Sequence, residues 1–435
     1  MLGLCLPAFA QVSMPPVSHE ERSIRELTLD DAVKLAVENN LNLQKQQIDL
    51  ASSGFSEKNI WSEIFPSINA STSIGYRNAL FSGVESATSG LNYSVGLGVS
   101  LGFNAGVPYA MKSIKLAHQA NILKYEDAVN QLAIQITKKF YSIVAEKNNL
   151  LLLEEIQNLA QRQFTRSEIS FRNGLVGELS LMNSRLALEN ARYNLIAAKT
   201  ASHNNTAEFL AMLGMTPNAD ITLSGEVTVI RIEVDSESLI NDRLHMRPDI
   251  ARNTQEIEKL KNDHIQSVLQ TQAPSLNLSI EWGSSNFDPF TDNFSASARL
   301  NIPVDPWIPG TSKSQAIKRA LNAIEKAKLD LALTEDSAKT QIRSLAALLH
   351  NSWDGILIAR LSLEAARRSY QLTEQGFNLG TVEALTLEDV RNNLANARQR
   401  LMQTELSYFN MILDLSAALN TDWKKIIQNY GVSGE

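Results

Sequence analysis

The chain has 435 residues, a net charge of −7, a single cysteine and only 12 prolines. An acidic balance argues against nucleic acid as a partner, and no apolar run reaches the roughly 18 residues that a transmembrane helix needs. A chain of this length can bury a sizeable core, and if it crosses a membrane only a closed β-barrel can do so.

Residues 1–10 read as a truncated signal peptide. Ala8 and Ala10 form an A-x-A cleavage pattern after an apolar stretch that lacks a basic n-region, so the true start is expected upstream. Cleavage there would remove Cys5 and leave a cysteine-free exported chain. The first half, 11–220, opens with a helix over roughly Ala32–Phe65, with Thr28 and Asp30 as candidate caps. Two strands follow, over 67–77 and 92–104. In the first, Ile68, Ala70, Thr72, Ile74 and Tyr76 alternate with Asn69, Ser71, Ser73, Gly75 and Arg77. In the second, Tyr93, Val95, Leu97, Val99, Leu101 and Phe103 alternate with serines and glycines. A period of two gives each strand one greasy and one wet face, as in a transmembrane β-barrel with apolar side chains outward and polar ones toward a lumen.

A helix expected over 109–173 contains neither Gly nor Pro and would be about 100 Å long at 1.5 Å per residue. Such a length points to coiled-coil packing, and Leu132, Ile136, Phe140, Ile143 and Val144 recur at helical spacing. Gly174 provides a left-handed stop, and a helix over 178–213 returns antiparallel. A connecting segment, 221–238, packs on the outside between the halves. The second half, 239–420, repeats the order: a helix over 239–273, strands 275–283 and 293–303, a long helix 311–375, the stop Gly380, and a helix 381–420. Residues 421–435 join the connecting segment. Phe171–Arg192 and Phe377–Arg398 share ten of 22 residues, so the chain is a tandem duplication.

Four strands cannot close a barrel alone, and the edges of an open sheet are not viable in lipid. Two copies would give eight strands, filled by their own side chains; three give twelve, the first closure with a water path. Arg77, Glu281 and Arg299 fall on polar strand faces and should line the lumen or pair with one another. The histidines show no metal-ligand spacing and there is no phosphate loop, so no metal, cofactor or catalysis is expected. A soluble periplasmic coiled-coil adaptor or structural protein is the alternative, and it leaves the alternating strands unexplained. An enzyme on a helical bundle would need clustered carboxylates and histidines, and none stands out.

Several segments resemble the TolC-like outer-membrane efflux protein family over nearly the whole mature chain. They are Leu27-Thr28-Leu29-Asp30-Asp31-Ala32-Val33, Arg247-Pro248-Asp249-Ile250, Ala273-Pro274-Ser275-Leu276 and the duplicated turn-helix carrying Asn190-Ala191-Arg192 and Asn396-Ala397-Arg398. The resemblance implies a homotrimer whose twelve-stranded outer-membrane barrel continues as a periplasmic α-helical tunnel. It conducts substrates passively in efflux or type I secretion. Its partners would be a periplasmic adaptor, an inner-membrane pump (proton- or ATP-driven) and outer-membrane lipid.

The hairpin tips around Arg172–Ser180 and Asn378–Asp389 would form the aperture and dock the adaptor. They include Gly174, Glu178, Leu179, Ser180, Gly380, Val382, Leu385, Thr386, Glu388 and Asp389. Asp389 matches an aperture aspartate, and Thr386 stands where a second acid is often found. Val382, Phe377 and Ser180 replace Arg, Tyr and Asp of some members, so an Arg-centred latch is missing. A hydrophobic or weak gate of Val382, Leu385 and Leu179 is expected in its place. The acidic residues Glu178, Glu383, Glu388 and Asp389 can equally serve only the dipoles of the helices they begin.

Overall fold

The computed structural model describes residues 26–77, 90–217, 219, 221–225, 229–285, 291–379 and 381–432. Residues 1–10, expected to be a signal peptide, Gly380 and the side chain of Arg77 lie outside the described residues. The alternating segments form β1 (Ser67–Arg77), β2 (Gly90–Asn104), β3 (Ser275–Ser285) and β4 (Thr291–Asn301). They make one antiparallel sheet in chain order. Its registers keep the two faces in phase, since a slip of one residue on any strand would put its apolar set on the wet side. Ser67, Ser100, Ser279 and Ser297 form one row across the sheet, and Ile68, Val99, Ile280 and Ala296 the next row on the opposite face. Serine hydroxyls bond across strands within the polar rows, Ser67 to Ser100 at 2.6 Å and Ser279 to Ser297 at 2.8 Å.

The remainder is mostly helix. The single opening helix expected over 32–65 is two helices, α1 (Leu29–Asn39) and α2 (Leu41–Lys58). Asn40 makes the break: its side-chain oxygen accepts from the N–H groups of Asn42 at 3.0 Å and Leu43 at 3.2 Å, capping α2. The first long helix, α3 (Val107–Arg172), runs unbroken for 66 residues, and α4 (Glu178–Met212) follows. The helix expected over 239–273 is also two, α5 (Ser236–Arg243) and α6 (Pro248–Gln272). Pro248 has no N–H to continue a helix and its ring suits the first position of a new one. The second long helix, α7 (Ser312–Asn378), continues through Gly376 beyond its expected end, while α8 (Ala384–Leu419) begins three residues later than expected. A last helix, α9 (Trp423–Tyr430), closes the chain.

The chain divides into two compact units. One takes residues up to Ala36 with Lys139–Glu226; the other takes Val37–Lys138 with Val227–Glu435. In the first, Phe140 and Phe209 are fully buried with ring centroids 6.4 Å apart, and Leu27 bridges Leu223. In the second, Ile342, Leu349, Trp353 and Ile356 of α7 pack with Tyr408, Ile412 and Leu415 of α8. Ile232 bridges Gly431, so the segment before α5 and the end of α9 lie together. Arg247 ties three helices in that unit. Its guanidinium donates to Asp249 at 2.7 and 3.0 Å, to the Gln341 side chain at 3.1 Å and to the Ala418 carbonyl at 3.1 Å. Burial opposes ionisation of Asp249, but the Arg247 guanidinium and the Ile250 N–H, which donates to Asp249 at 2.9 Å, outweigh it and hold its carboxyl below the ordinary range. The five apolar residues singled out along α3, Leu132, Ile136, Phe140, Ile143 and Val144, are all buried.

Candidate functional site

The sheet is built as a membrane wall. Along β2 the apolar face runs from Tyr93 to Phe103; at about 3.4 Å per residue and a tilt of about 40° this spans roughly 26 Å. That matches the roughly 25 Å apolar band of an outer-membrane barrel. On β3 and β4 the apolar face stops at Trp282 and Phe294, because the next positions are Ser284 and Asp292. The upper limit thus steps down from β2 to β3, where Trp282 pairs with Leu97, and stays level from Trp282 to its partner Phe294 on β4. Ile68, Ile74, Tyr76, Phe294 and Leu300 are exposed, a pattern that water would penalise and lipid would not.

The opposite face carries the expected lumen residues. Glu281 sits between Gly98 and Ser295, and Arg299 lies opposite Asn277. The register sets Glu281 and Arg299 four residues apart along the strand, roughly 13 Å, so the two do not pair. Arg77 is the last residue of β1, and its backbone pairs with that of Gly90. Apart from Glu281 and Arg299, serine and glycine fill most of the described positions on that face.

The first hairpin tip lies in the unit containing α4. Here α3 ends in a Schellman turn: Gly174 has φ +71°, its N–H donates to the Phe171 carbonyl at 2.9 Å, and the Leu175 N–H reaches the Ser170 carbonyl at 2.8 Å. Only glycine adopts that φ without strain. Glu178, Leu179 and Ser180 form the exposed first turn of α4, with Glu178 placed to favour the helix dipole. Leu175 is 76 % exposed at the very turn, and sequence reasoning passed over it.

The second tip lies in the other unit. The Thr381 N–H and hydroxyl both donate to the Gly376 carbonyl, at 2.9 and 3.0 Å. Val382 precedes α8 and is only partly exposed, because it packs on Gly376; a Cβ there would come within 2.7 Å of Val382 Cγ2. Leu385, Thr386 and Asp389 are exposed, Leu387 is buried, and Leu379 stands 79 % exposed. Val382 therefore seats the turn, and Leu379 is the outstanding apolar group, which periodicity could not flag because it caps α7. Glu388 is half-buried. Burial pushes its carboxyl above the ordinary range, Arg391 opposes this, and Asp389 adds to it. On α7 the Tyr370 hydroxyl donates to Glu374 at 2.8 Å; burial and Glu374 raise its pKa, and Arg391 of α8 opposes the rise.

Among the described residues no group of His, Cys, Asp and Glu could hold a metal ion, and no helix is long and apolar enough to cross a membrane. On α4, exposed Leu179, Met182, Leu186, Tyr193 and Ile196 fall at spacings of three, four, seven and three, the seam pattern of a coiled coil.

The sequence pattern of the family described as "Outer membrane efflux protein" matches residues 32–215 and 239–421. The probable efflux pump outer membrane protein TtgC of Pseudomonas putida is 22% identical over 437 aligned positions, spanning 96% of this chain and 88% of that protein. The outer membrane protein TolC of Vibrio cholerae is 20% identical over 319 positions, 71% of each chain. Among solved structures, the CmeC outer membrane channel of Campylobacter jejuni superposes with a TM-score of 0.75 at 18% identity, covering 92% of this chain and 88% of CmeC. The open-state MtrE outer membrane channel of Neisseria gonorrhoeae gives 0.72 at 14% identity, covering 90% and 89%. These structural likenesses speak to the fold; the family match spans both halves of the sequence. The chain belongs to the outer membrane efflux protein family, and it is an efflux channel protein of the outer membrane.

Proposed function

We propose that three copies of the chain close into one passive duct, a twelve-stranded barrel continued by a helical tunnel. The observation that carries this is the sheet itself: four in-register strands, one apolar face of membrane height, one small polar face, and unpaired edges at β1 and β4. Such edges cannot face lipid, so other copies must pair with them, and three copies are the fewest that leave a water path. The exposed seam on α4 supports the same packing between copies in the helical part.

In this reading each half of the chain, 11–220 and 239–420, is one efflux repeat, with 221–238 and 421–435 as an equatorial collar. Arg77, Glu281 and Arg299 line the lumen and tune ion selectivity. The two tips form the aperture, with Asp389 as its acidic ring and Leu179 and Leu385 as its apolar gate. A periplasmic adaptor attached to an energised inner-membrane pump docks there, and exposed Leu175 and Leu379 offer it apolar contacts. The chain performs no chemistry of its own. Purified protein in planar bilayers tests this: single channels with ohmic conductance are expected, and a protein that inserts without conducting would refute the duct.

A further inference from the structure

We propose that a cleft at the helical end of the sheet holds an acyl chain of a glycerophospholipid from the leaflet on that side. The proposal rests on the outer-membrane reading above and adds a defined lipid site to it. The cleft has a volume of about 460 Å³. One wall is Phe103, Leu276 and Leu300, which are paired positions of β2, β3 and β4 and form the last apolar row of the sheet. The facing wall is Ile64, from the turn before β1, with Val107 and Met111 from the first turns of α3. The lining is almost wholly apolar; the one amide side chain in it, Asn104, already accepts the Gly106 N–H at 2.6 Å.

Three features favour a lipid chain over other occupants. The strand wall continues the face that lies in the membrane, so a chain from the adjoining leaflet enters without crossing a polar barrier. The cleft is at the lower limit of the apolar band, where acyl chains meet headgroups, and Trp61 and Trp307 stand exposed on the segments that flank the sheet there. Its wall is centred on β2 and β3, the inner strands, whereas copies of the chain join at β1 and β4. A lipid held here would fix the depth of the barrel at the point where strands become helices.

The test places the photoreactive residue p-benzoylphenylalanine, in separate full-length variants, at Met111, at Ile64 and, as a control on the open apolar face, at Leu278. Each is irradiated in native outer membranes, delipidated, and its mass measured. The expected result is a phospholipid adduct at all three positions. In addition, unmodified protein should retain one phospholipid per chain after detergent exchange, and Val107→Trp should lose it. An adduct at Leu278 with none at Met111 or Ile64 overturns the cleft and leaves the membrane face standing. A chain-to-chain crosslink at Met111 overturns it in favour of a second copy as occupant. No lipid adduct at any position overturns the membrane reading itself.

Discussion

Replacing Tyr408 by Phe should loosen the collar formed by the segment before α5 and the end of α9, while leaving the helical core intact. Tyr408 is fully buried, with its ring 5.5 Å from that of Trp353. Its hydroxyl accepts the Ile232 N–H at 2.8 Å and donates to the Ile230 carbonyl at 3.2 Å. Phe keeps the ring and its packing, so the cost is that of the lost oxygen. Ile230 lies at the surface, where water can serve its carbonyl. The Ile232 N–H is buried and is left without an acceptor, which costs about 1–3 kcal/mol. Local opening of the collar should therefore become about 5- to 150-fold more frequent, at 1.4 kcal/mol per factor of ten. Hydrogen exchange reads this at two neighbouring amides whose own bonds the substitution spares. These are Glu233, which donates to the Tyr430 carbonyl, and Val432, which donates to the Arg231 carbonyl. Faster exchange at both is expected. Exchange equal to that of the parent protein would show that Tyr408 does not hold the collar.

Gly174→Ala should destabilise the first hairpin tip by about 1–2 kcal/mol, the cost of a left-handed residue that bears a Cβ. The position is otherwise open, so no clash contributes, and proteolysis at the tip should accelerate. Val382→Arg should lower basal conductance in planar bilayers several-fold by placing a cation beside the tip carboxylates; unchanged conductance would count against the weak gate. Glu388 has a carboxyl raised by burial, so folding favours its protonated form. Its contribution is fully present below the ordinary carboxylate range and is lost as pH rises through the raised value. Glu388→Gln should remove that loss, giving a variant more stable than the parent near neutral pH and with a flatter pH profile in chemical unfolding.

The strands were legible because their period of two is uninterrupted and both faces differ in kind; the structure pairs the same residues that the alternation grouped. The long helices were legible because nothing in Tyr109–Asn173 can stop one. What escaped was local competition. Asn39-Asn40 reads as helix interior until the Asn40 side chain is seen to cap Leu41–Lys58. Pro248 was visible only as part of a motif, although its missing N–H starts a new helix. The helix expected to end at 375 runs on to Asn378 through Gly376, whose absent Cβ makes room for Val382. At the tips, composition named the acidic residues but could not separate exposed Asp389 from half-buried Glu388, a difference set by which face of α8 meets α7. Tyr408 and Arg247 as cross-links were beyond reach, because the groups they tie in, Ile230 and Ile232 for Tyr408 and Gln341 and Ala418 for Arg247, lie more than 90 residues away in sequence.

The central claim is that several copies of this chain close one barrel, and the most direct measurement is the native mass of the protein extracted from outer membranes in mild detergent. Particles of three chains are predicted. A monomer, or a protein recovered only from the soluble fraction, would contradict the account.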